Sequence, residues 1–521
     1  MRTSLLALLA LSACSVSRTT PPEASGIPAS LSEVEPGTRL VRGSELFAAH
    51  CAVCHGTRGR GDGPAAPFLF PPARRFDEAR FRLVSSENGA PFDRDLVATL
   101  RRGMPGSAMP AWGWLPEEDL WALAAHVRRL AREELETDLR LDASRVDDPL
   151  LLAEAGTIAR ARTTPDRPLA EHVRVASDAG SRAHGRALFQ QHCAQCHAAD
   201  GTGEVEPRPD EDGSLNWARD LTAGFLKGGA APRELAHRIR AGMPGTSMPP
   251  SELTPDDEAA LLGFLEELVP PGSSERLVHR RASLRAQRVP LAPLEPRDPA
   301  WDGADEIEVV LAPLWWHEEA VLGASLAAVH DGSTLALRLA WPDETGTLRL
   351  FSDTLASDGA ALQLSSAPHP PLFGMGAPGT PTQLWHWKAL RTEDAAGLLD
   401  LVLPTPHAGP PPAPGEVRSD VPLYRRFLAR LEPSERVDHV VAEGIAALPG
   451  ATRVAGEVEA RAEWQAGRWS VVFRRVLVGD ETPLLVPGRT LQVACAVWNG
   501  AAGDAGARKS ISIWQELVLD E

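Results

Sequence analysis

Gly43-Ser-Glu-Leu-Phe47-Ala-Ala-His50-Cys51-Ala-Val-Cys54-His55 returns further along the chain as Gly185-Arg-Ala-Leu-Phe189-Gln-Gln-His192-Cys193-Ala-Gln-Cys196-His197. Each copy ends in C-x-x-C-H, the attachment signature of a c-type haem. The two thiols add to the haem vinyl groups as thioethers, and the adjacent His comes to lie under the iron. A lone C-x-x-C-H also fits a redox dithiol. Two copies in matching contexts make chance negligible, and they predict covalent haem on Cys51 and Cys54 and on Cys193 and Cys196, with His55 and His197 as iron ligands.

The repetition extends outward from both motifs. After the first comes Gly56-Thr-Arg-Gly-Arg-Gly-Asp-Gly63, whose glycines let the backbone wrap close to a ring. Further on stand Gly103-Met104-Pro-Gly-Ser-Ala-Met109-Pro110 and its counterpart Gly242-Met243-Pro-Gly-Thr-Ser-Met248-Pro249, each with two candidates for a second ligand. The spacing from first Cys to last Met nearly repeats: 109 minus 51 is 58, and 248 minus 193 is 55. Each stretch closes on a helix. Pro116 and Glu117-Glu-Asp119 suit a first turn, and Leu120, Leu123, Val127 and Leu130 follow at helical spacing. In the second copy Thr254-Pro255 starts the helix, and Leu261, Phe264, Leu265 and Leu268 form its apolar face. The reading is an internal duplication of a small all-α haem unit over 41–132 and 181–270. The charged stretch 133–180 is a linker packing across the two.

On these motifs both units resemble class I cytochrome c domains. The resemblance implies His55 with Met109 and His197 with Met248, because that family places its ligand immediately before this Pro and the closing helix. It also implies six-coordinate irons, suited to electron transfer, with potentials raised by the thioether.

The N-terminus reads as an export signal: Met1-Arg2, then an apolar run from Leu5 to Leu11. Leu11-Ser-Ala-Cys14 resembles a bacterial lipoprotein cleavage box. That implies a signal over 1–13, a lipidated Cys14 and a flexible tether over 14–40, with the protein exported and lipid-anchored on the periplasmic side. No later run offers the ~20 apolar residues of a span. Of six cysteines, lipid and haem use all but Cys495, which alternates with Val493 and Val497 as a buried strand position. The net charge of -17 and the lack of a basic stripe exclude nucleic acid as a partner.

After a second linker at 271–292, basic and exposed from Arg276 to Arg288, the period becomes two. Ile307, Val309 and Leu311 alternate, as do Leu335, Leu337, Leu339 and Trp341, and Trp469, Val471 and Phe473. Asn499-Gly500 is a hairpin signal, and Ile511 and Ile513 give a last strand. Many short strands with turns between them predict a β-sandwich over 293–521. Within it, Met375 lies between two glycines and Lys388 ends Trp385-His-Trp387-Lys388. By themselves these read as a surface Met and a snorkelling Lys. His317 and His439 read as surface residues.

This region resembles the haem-binding domain of ethylbenzene dehydrogenase and the related γ subunits of molybdenum enzymes of the dimethyl sulfoxide reductase family. The matching residues are Trp301-Asp-Gly303, Leu339-Ala-Trp341-Pro-Asp343, Ser357-Asp358-Gly-Ala360, the Met375 loop, Trp385-His-Trp387-Lys388, Gly467-Arg-Trp469 and Ala496-Val-Trp498-Asn-Gly500. The resemblance implies one noncovalent haem b between Met375 and Lys388, with His386 and, more weakly, His369 as rival ligands. The expectation for the whole is a multidomain chain, two all-α cytochrome c domains followed by a mainly β haem-binding domain. It would carry two haem c and one haem b. It would relay electrons between molybdopterin and iron–sulfur subunits of an oxidoreductase and a soluble cytochrome or a membrane quinol-oxidising complex, without catalysing a reaction itself. A stand-alone carrier is the alternative; a dihaem peroxidase or haem sensor would need an open iron position.

Overall fold

A computed structural model describes residues 36–520, apart from 171–172, 204–205, 212, 347–356, 372–374, 377–378, 390–436, 443–451, 455–457 and 478–489. The export signal and Cys14 lie outside the described residues.

The first unit is built from α1 (Pro36–His50), α2 (Ala52–His55), α3 (Asp93–Arg102) and α4 (Glu117–Arg145). Helix α1 thus starts within the stretch read as a tether. It crosses α4 at Gly43, where a Cβ would overlap the Ala122 carbonyl oxygen. Close by, the Arg42 guanidinium grips Asp119 through two hydrogen bonds of 2.8 and 2.7 Å. Helix α3 begins where the Asp95 carboxylate accepts from Phe92 N at 2.9 Å and ends on Arg101 and Arg102, charges that suit its two poles. Helix α4 does not stop at 132. Arg129–Glu133 and Arg140–Glu136 pairs one turn apart carry it on to Arg145. It then folds back against α5 (Pro149–Thr163), whose start is capped by Asp148 and whose Ala155 and Ala159 are fully buried. The stretch read as a linker is therefore largely a helical hairpin.

The second unit repeats the plan with α6 (Ala179–His192), α7 (Ala194–His197), α8 (Pro232–Ala241) and α9 (Pro255–Leu268). Gly185 meets the Ala260 carbonyl as Gly43 meets Ala122. Thr254 caps α9 by accepting from Asp257 N. A small ribbon, β1 (Arg208–Pro209) with β2 (Leu215–Asn216), is this unit's own addition among the described residues.

The remainder is a sheet of thirteen strands. They are β3 (Ser283–Arg288), β4 (Glu306–Pro313), β5 (Gly323–His330), β6 (Thr334–Pro342), β7 (Gly359–Ser365), β8 (Thr382–Lys388), β9 (Val437–Ala442), β10 (Thr452–Val454), β11 (Val458–Gln465), β12 (Arg468–Val476), β13 (Thr490–Trp498), β14 (Ser510–Ser512) and β15 (Gln515–Leu519). The order is β10-β9-β8-β7-β13-β14-β4-β5-β6-β12-β11, with β15 beside β13 and β3, and β3 also beside β5. All neighbours are antiparallel except β3, which runs parallel to both its partners. Trp385 of β8 lies 6.5 Å from Phe473 of β12, ring to ring, although the two strands are far apart in that order. The sheet therefore folds until its two ends face each other across one core, filled by Leu337, Trp341, Trp387, Trp469 and Val493.

Strand β3 corrects the reading of Arg276–Arg288 as an exposed linker. Leu284 and Ala286 alternate inward between outward charges and are fully buried. Burying one Leu contributes about 1.5–3 kcal/mol, whereas an exposed charge such as Arg285, paired with Asp520 at 2.9 Å, stays screened by water. The apolar alternation wins over the basic composition. The last strand is β15, beyond the expected Ile511–Ile513 pair. His439 is buried instead of lying at the surface, its ring edge-on near Trp385, and His317 is half-buried, its ring meeting Asp504 at 3.0 Å.

Candidate haem sites

In the first unit the turn between α1 and α2 delivers Cys51, Cys54 and His55 to one wall of a cleft. The cleft holds about 1250 Å³ of empty space, its open mouth included. Phe47, Leu69, Phe76, Phe81, Leu96 and Val127 give it an apolar lining, while Met104 and Met109 both stand on it. Both candidates for the second ligand are thus brought to the site. The loop that carries them is fixed by its own backbone. Met104 N donates to Met109 O at 3.1 Å, and Ser107 Oγ donates to Met104 O at 2.7 Å. The second loop copies this: Met243 N donates to Met248 O at 3.0 Å, and Thr246 Oγ1 donates to Met243 O at 2.7 Å. Each loop opens on a glycine at positive φ, 73° for Gly103 and 61° for Gly242, against which the loop's own returning backbone packs too closely for a Cβ.

The ring of His55 donates from Nδ1 to the Arg74 carbonyl at 2.9 Å, and that of His197 to the Arg219 carbonyl at 3.3 Å. This bond fixes the tautomer and leaves Nε2 as the basic atom, the arrangement a metal-ligating His needs. Burial lowers the pKa of both rings, which favours the neutral form that ligates. Burial also pushes the Cys51 and Cys54 thiols up to about 12 and Cys193 up to about 11. For Cys51, Cys54 and Cys193 this is the opposite of the stabilised thiolate that a redox dithiol uses. Thiols, neutral imidazole, thioether sulfurs and an apolar cleft together suit a haem.

The sheet places the third set of candidates. Along β8, Gln383, Trp385 and Trp387 alternate with Leu384, His386 and Lys388. Trp385 and Trp387 face the central core, so they lie on the opposite side of the strand from Lys388 rather than flanking it. Leu384 faces outward with Ala361, Val440, Ala442 and Trp498, and Met375 packs against that cluster. Met375 has a φ of 52°, rare for a residue with a side chain. Lys388 and His386 share this face by alternation, and His386 lies 5.1 Å from the Trp498 ring and 3.9 Å from Asp438. His369 sits elsewhere, stacked at 5.8 Å on Trp114 of the first unit.

Three features escape a motif reading. Arg74 and Arg219 hold the two His rings, and their signal is a repeated Ala-Arg downstream of each C-x-x-C-H. Lys227 of the second unit lines the first unit's cleft, and no motif marks it. Trp315 and Trp316 join both haem units to the sheet: Trp315 stacks on Phe70 at 5.2 Å, and Trp316 packs edge-on to Phe225 at 4.7 Å.

Comparison with known proteins agrees with the duplicated motif. Residues 38–127 match the family model of cytochrome c oxidase, cbb3-type, subunit III. Residues 183–268 match that of cytochrome c. A curated protein of Haloferax mediterranei, provisionally named a respiratory nitrate reductase heme subunit, is 24% identical over 233 residues, 43% of this chain and 67% of its own length. Among solved structures, the reducing HAO-like protein complex of Kuenenia stuttgartiensis covers 44% of this chain and 96% of its own at 23% identity and a TM-score of 0.37. A carbohydrate binding module family 9 from Caldicellulosiruptor kristjanssonii, in complex with cellotriose, covers 46% and 94% at 11% identity and a TM-score of 0.23. Superpositions this loose decide neither fold nor function. Cytochrome c domains imply covalently bound haem c and are typically extracytoplasmic, and among the described residues no helix is long and apolar enough to cross a membrane. The chain thus carries two cytochrome c-type domains, at 38–127 and 183–268, ahead of a large β-sheet-rich region, and its function is multihaem electron transfer.

Proposed function

We propose that this chain is a triple-haem electron-transfer protein that relays electrons between an oxidoreductase of the molybdenum class and a respiratory redox pool. Bound haem supplies a one-electron couple at each site. Cys51 and Cys54, and Cys193 and Cys196, hold two haem c. His55 with Met109 and His197 with Met248 would ligate the two irons, and Met375 with Lys388 would hold one haem b. Cys14 is the lipid anchor on the periplasmic side, and the partners are molybdopterin and iron–sulfur subunits together with a soluble cytochrome or a quinol-oxidising complex.

The observation that carries the third site is the Met375 backbone. A residue held at positive φ costs free energy, and such conformations cluster at functional sites. Its side chain joins the apolar face that also bears Lys388. The Haloferax relative, named as a haem subunit of a respiratory nitrate reductase, supports a subunit role in an oxidoreductase. A run of rings supports passage between the first unit and the sheet. His50 and Trp112 line the first cleft, His50 lies 6.0 Å from Trp114, and Trp114 stacks on His369.

Denaturing gels should retain haem on the chain, and a pyridine haemochrome assay should give two c-type haems for each acid-extractable b-type haem. An absence of extractable haem from the purified complex sinks the third site while leaving the two cytochrome units standing.

A further inference from the structure

The two haem units are packed face to face through reciprocal contacts. Arg219, whose carbonyl holds the second His ring, donates from Nη2 to Gly106 O of the first methionine loop at 2.7 Å. Arg74, whose carbonyl holds the first His ring, places its guanidinium against Gly245 of the second methionine loop. Arg102 Nε donates to Lys227 O at 2.9 Å, and Arg238 Nη1 to Arg82 O at 3.0 Å.

This packing gathers charge of one sign. Arg74, Arg82 and Arg219 all act on Lys227 from close range, and Lys227 is buried on the cleft of the first unit together with Arg74 and Arg82. The carboxylate that faces them is Asp210, and its oxygens already accept from Arg82 at 3.1 Å, Asn216 at 3.2 Å and Ser247 N at 3.2 Å. Desolvation, and then the neighbouring arginines, lower the pKa of Lys227. Like charges buried together are unfavourable unless anions join them. The rest of the cleft's lining is largely apolar, and a haem carries two carboxylates on one edge.

Resting on the haem c reading above, we propose that the carboxylates of the first haem are held by Arg74 and Arg82 of the first unit and by Lys227 of the second. The second unit then completes the first haem's site. The two cytochrome domains are a single electrostatic unit, and Lys227 tunes the potential of a haem attached to the other domain.

The test is a redox titration of the full-length holoprotein, with the two c-haem potentials assigned by repeating it in Cys193→Ala/Cys196→Ala, which keeps the first haem alone. Lys227→Gln should lower the first potential and leave the second in place. A unit charge on the order of 10 Å from iron, at an effective dielectric of ~20, shifts the ferrous-to-ferric ratio roughly tenfold, about 59 mV for a one-electron couple. The first potential should also become pH-dependent near neutrality, because a haem carboxyl that has lost its cation takes up a proton on reduction. Lys227→Arg should restore the wild-type titration. Should Lys227→Gln fail to load haem, Arg82→Gln reads the same selective shift. Unmoved potentials in both variants overturn the proposal, as does an equal shift of both haems. It is also overturned if wild type lacks a methionine-to-iron charge-transfer band on the first haem and Lys227→Gln gains it, since Lys227 would then be an iron ligand. Fewer than two covalent haems in wild type would instead strike at the cytochrome reading itself.

Discussion

At the scale of single residues, the haem units depend on where one backbone carbonyl sits. Arg74 O and Arg219 O each accept a hydrogen bond from the Nδ1–H of a His, which orients the ring and leaves Nε2 available. The proposed haem b site would depend on a similar detail. Met375 is flanked by Gly374 and Gly376 and adopts a left-handed backbone, which brings its side chain onto the sheet instead of into solvent. Met375→Ala should lower the potential of the b haem, because a thioether that favours ferrous iron is lost. Lys388→Ala should weaken retention of that haem, measured by its extraction from the purified complex, while both c-haem spectra stay unchanged. If His386→Ala abolishes the b-haem spectrum and Lys388→Ala leaves it intact, His386 takes the ligand role. That outcome is a fair contest, since both side chains leave β8 on one face.

At the scale of elements, the two haem units rest on helix crossings tight enough to forbid any side chain. Gly43 lies on the Ala122 carbonyl and Gly185 on the Ala260 carbonyl, so α1 with α4 and α6 with α9 approach backbone to backbone. Gly185→Ala inserts a methyl where none fits and should destabilise the second unit by about 1–3 kcal/mol. The thermal unfolding midpoint of the holoprotein should fall. Gly37→Ala in α1, with open space around it, should leave the midpoint unchanged or slightly raised. Equal effects from the two substitutions would show that the crossing is not the reason for the glycine. These crossings were legible in the sequence, because Gly-x-x-Leu-Phe stands at the same offset from both C-x-x-C-H motifs. The run of α4 beyond 132 was harder to see, because its stripe of Ala131, Leu135, Leu139 and Ala143 is thin and set among charges, and its partner α5 lies further along the chain.

At the scale of the whole molecule, the three parts share surfaces. Phe70 of the first unit donates from N to Leu314 O at 2.9 Å and accepts from Trp316 N at 2.7 Å, which adds a bridge to the edge of the sheet region. Arg219 of the second unit lies 4.4 Å over the Trp316 ring. One tryptophan pair thereby fastens both haem units to the same place. If the chain is tethered through Cys14, Cys14→Ser should move the exported protein from the membrane fraction into the soluble fraction when expressed without partners. Retention in the membrane pellet would rule out lipid as the tether.

The sequence by itself determined the duplication, the two C-x-x-C-H motifs, the paired methionine loops and the period-two alternation of the β region, because each is a local pattern of spacing or chemistry. Only the tertiary structure decided what crosses between repeats. Lys227 has no motif around it, and it reaches the other unit's cleft where Arg102, at the end of α3, bonds its carbonyl. Strand β3 looked like a basic linker, and two buried side chains out of six residues bring it into the sheet. Trp385 and Trp387 seemed companions of Lys388 along the chain, yet the pleat sends them to opposite faces. His439 is buried and His317 half-buried against partners distant in sequence, Trp385 and Asp504. Burial of a polar side chain is set by which distant elements meet over it, and no local period records that meeting.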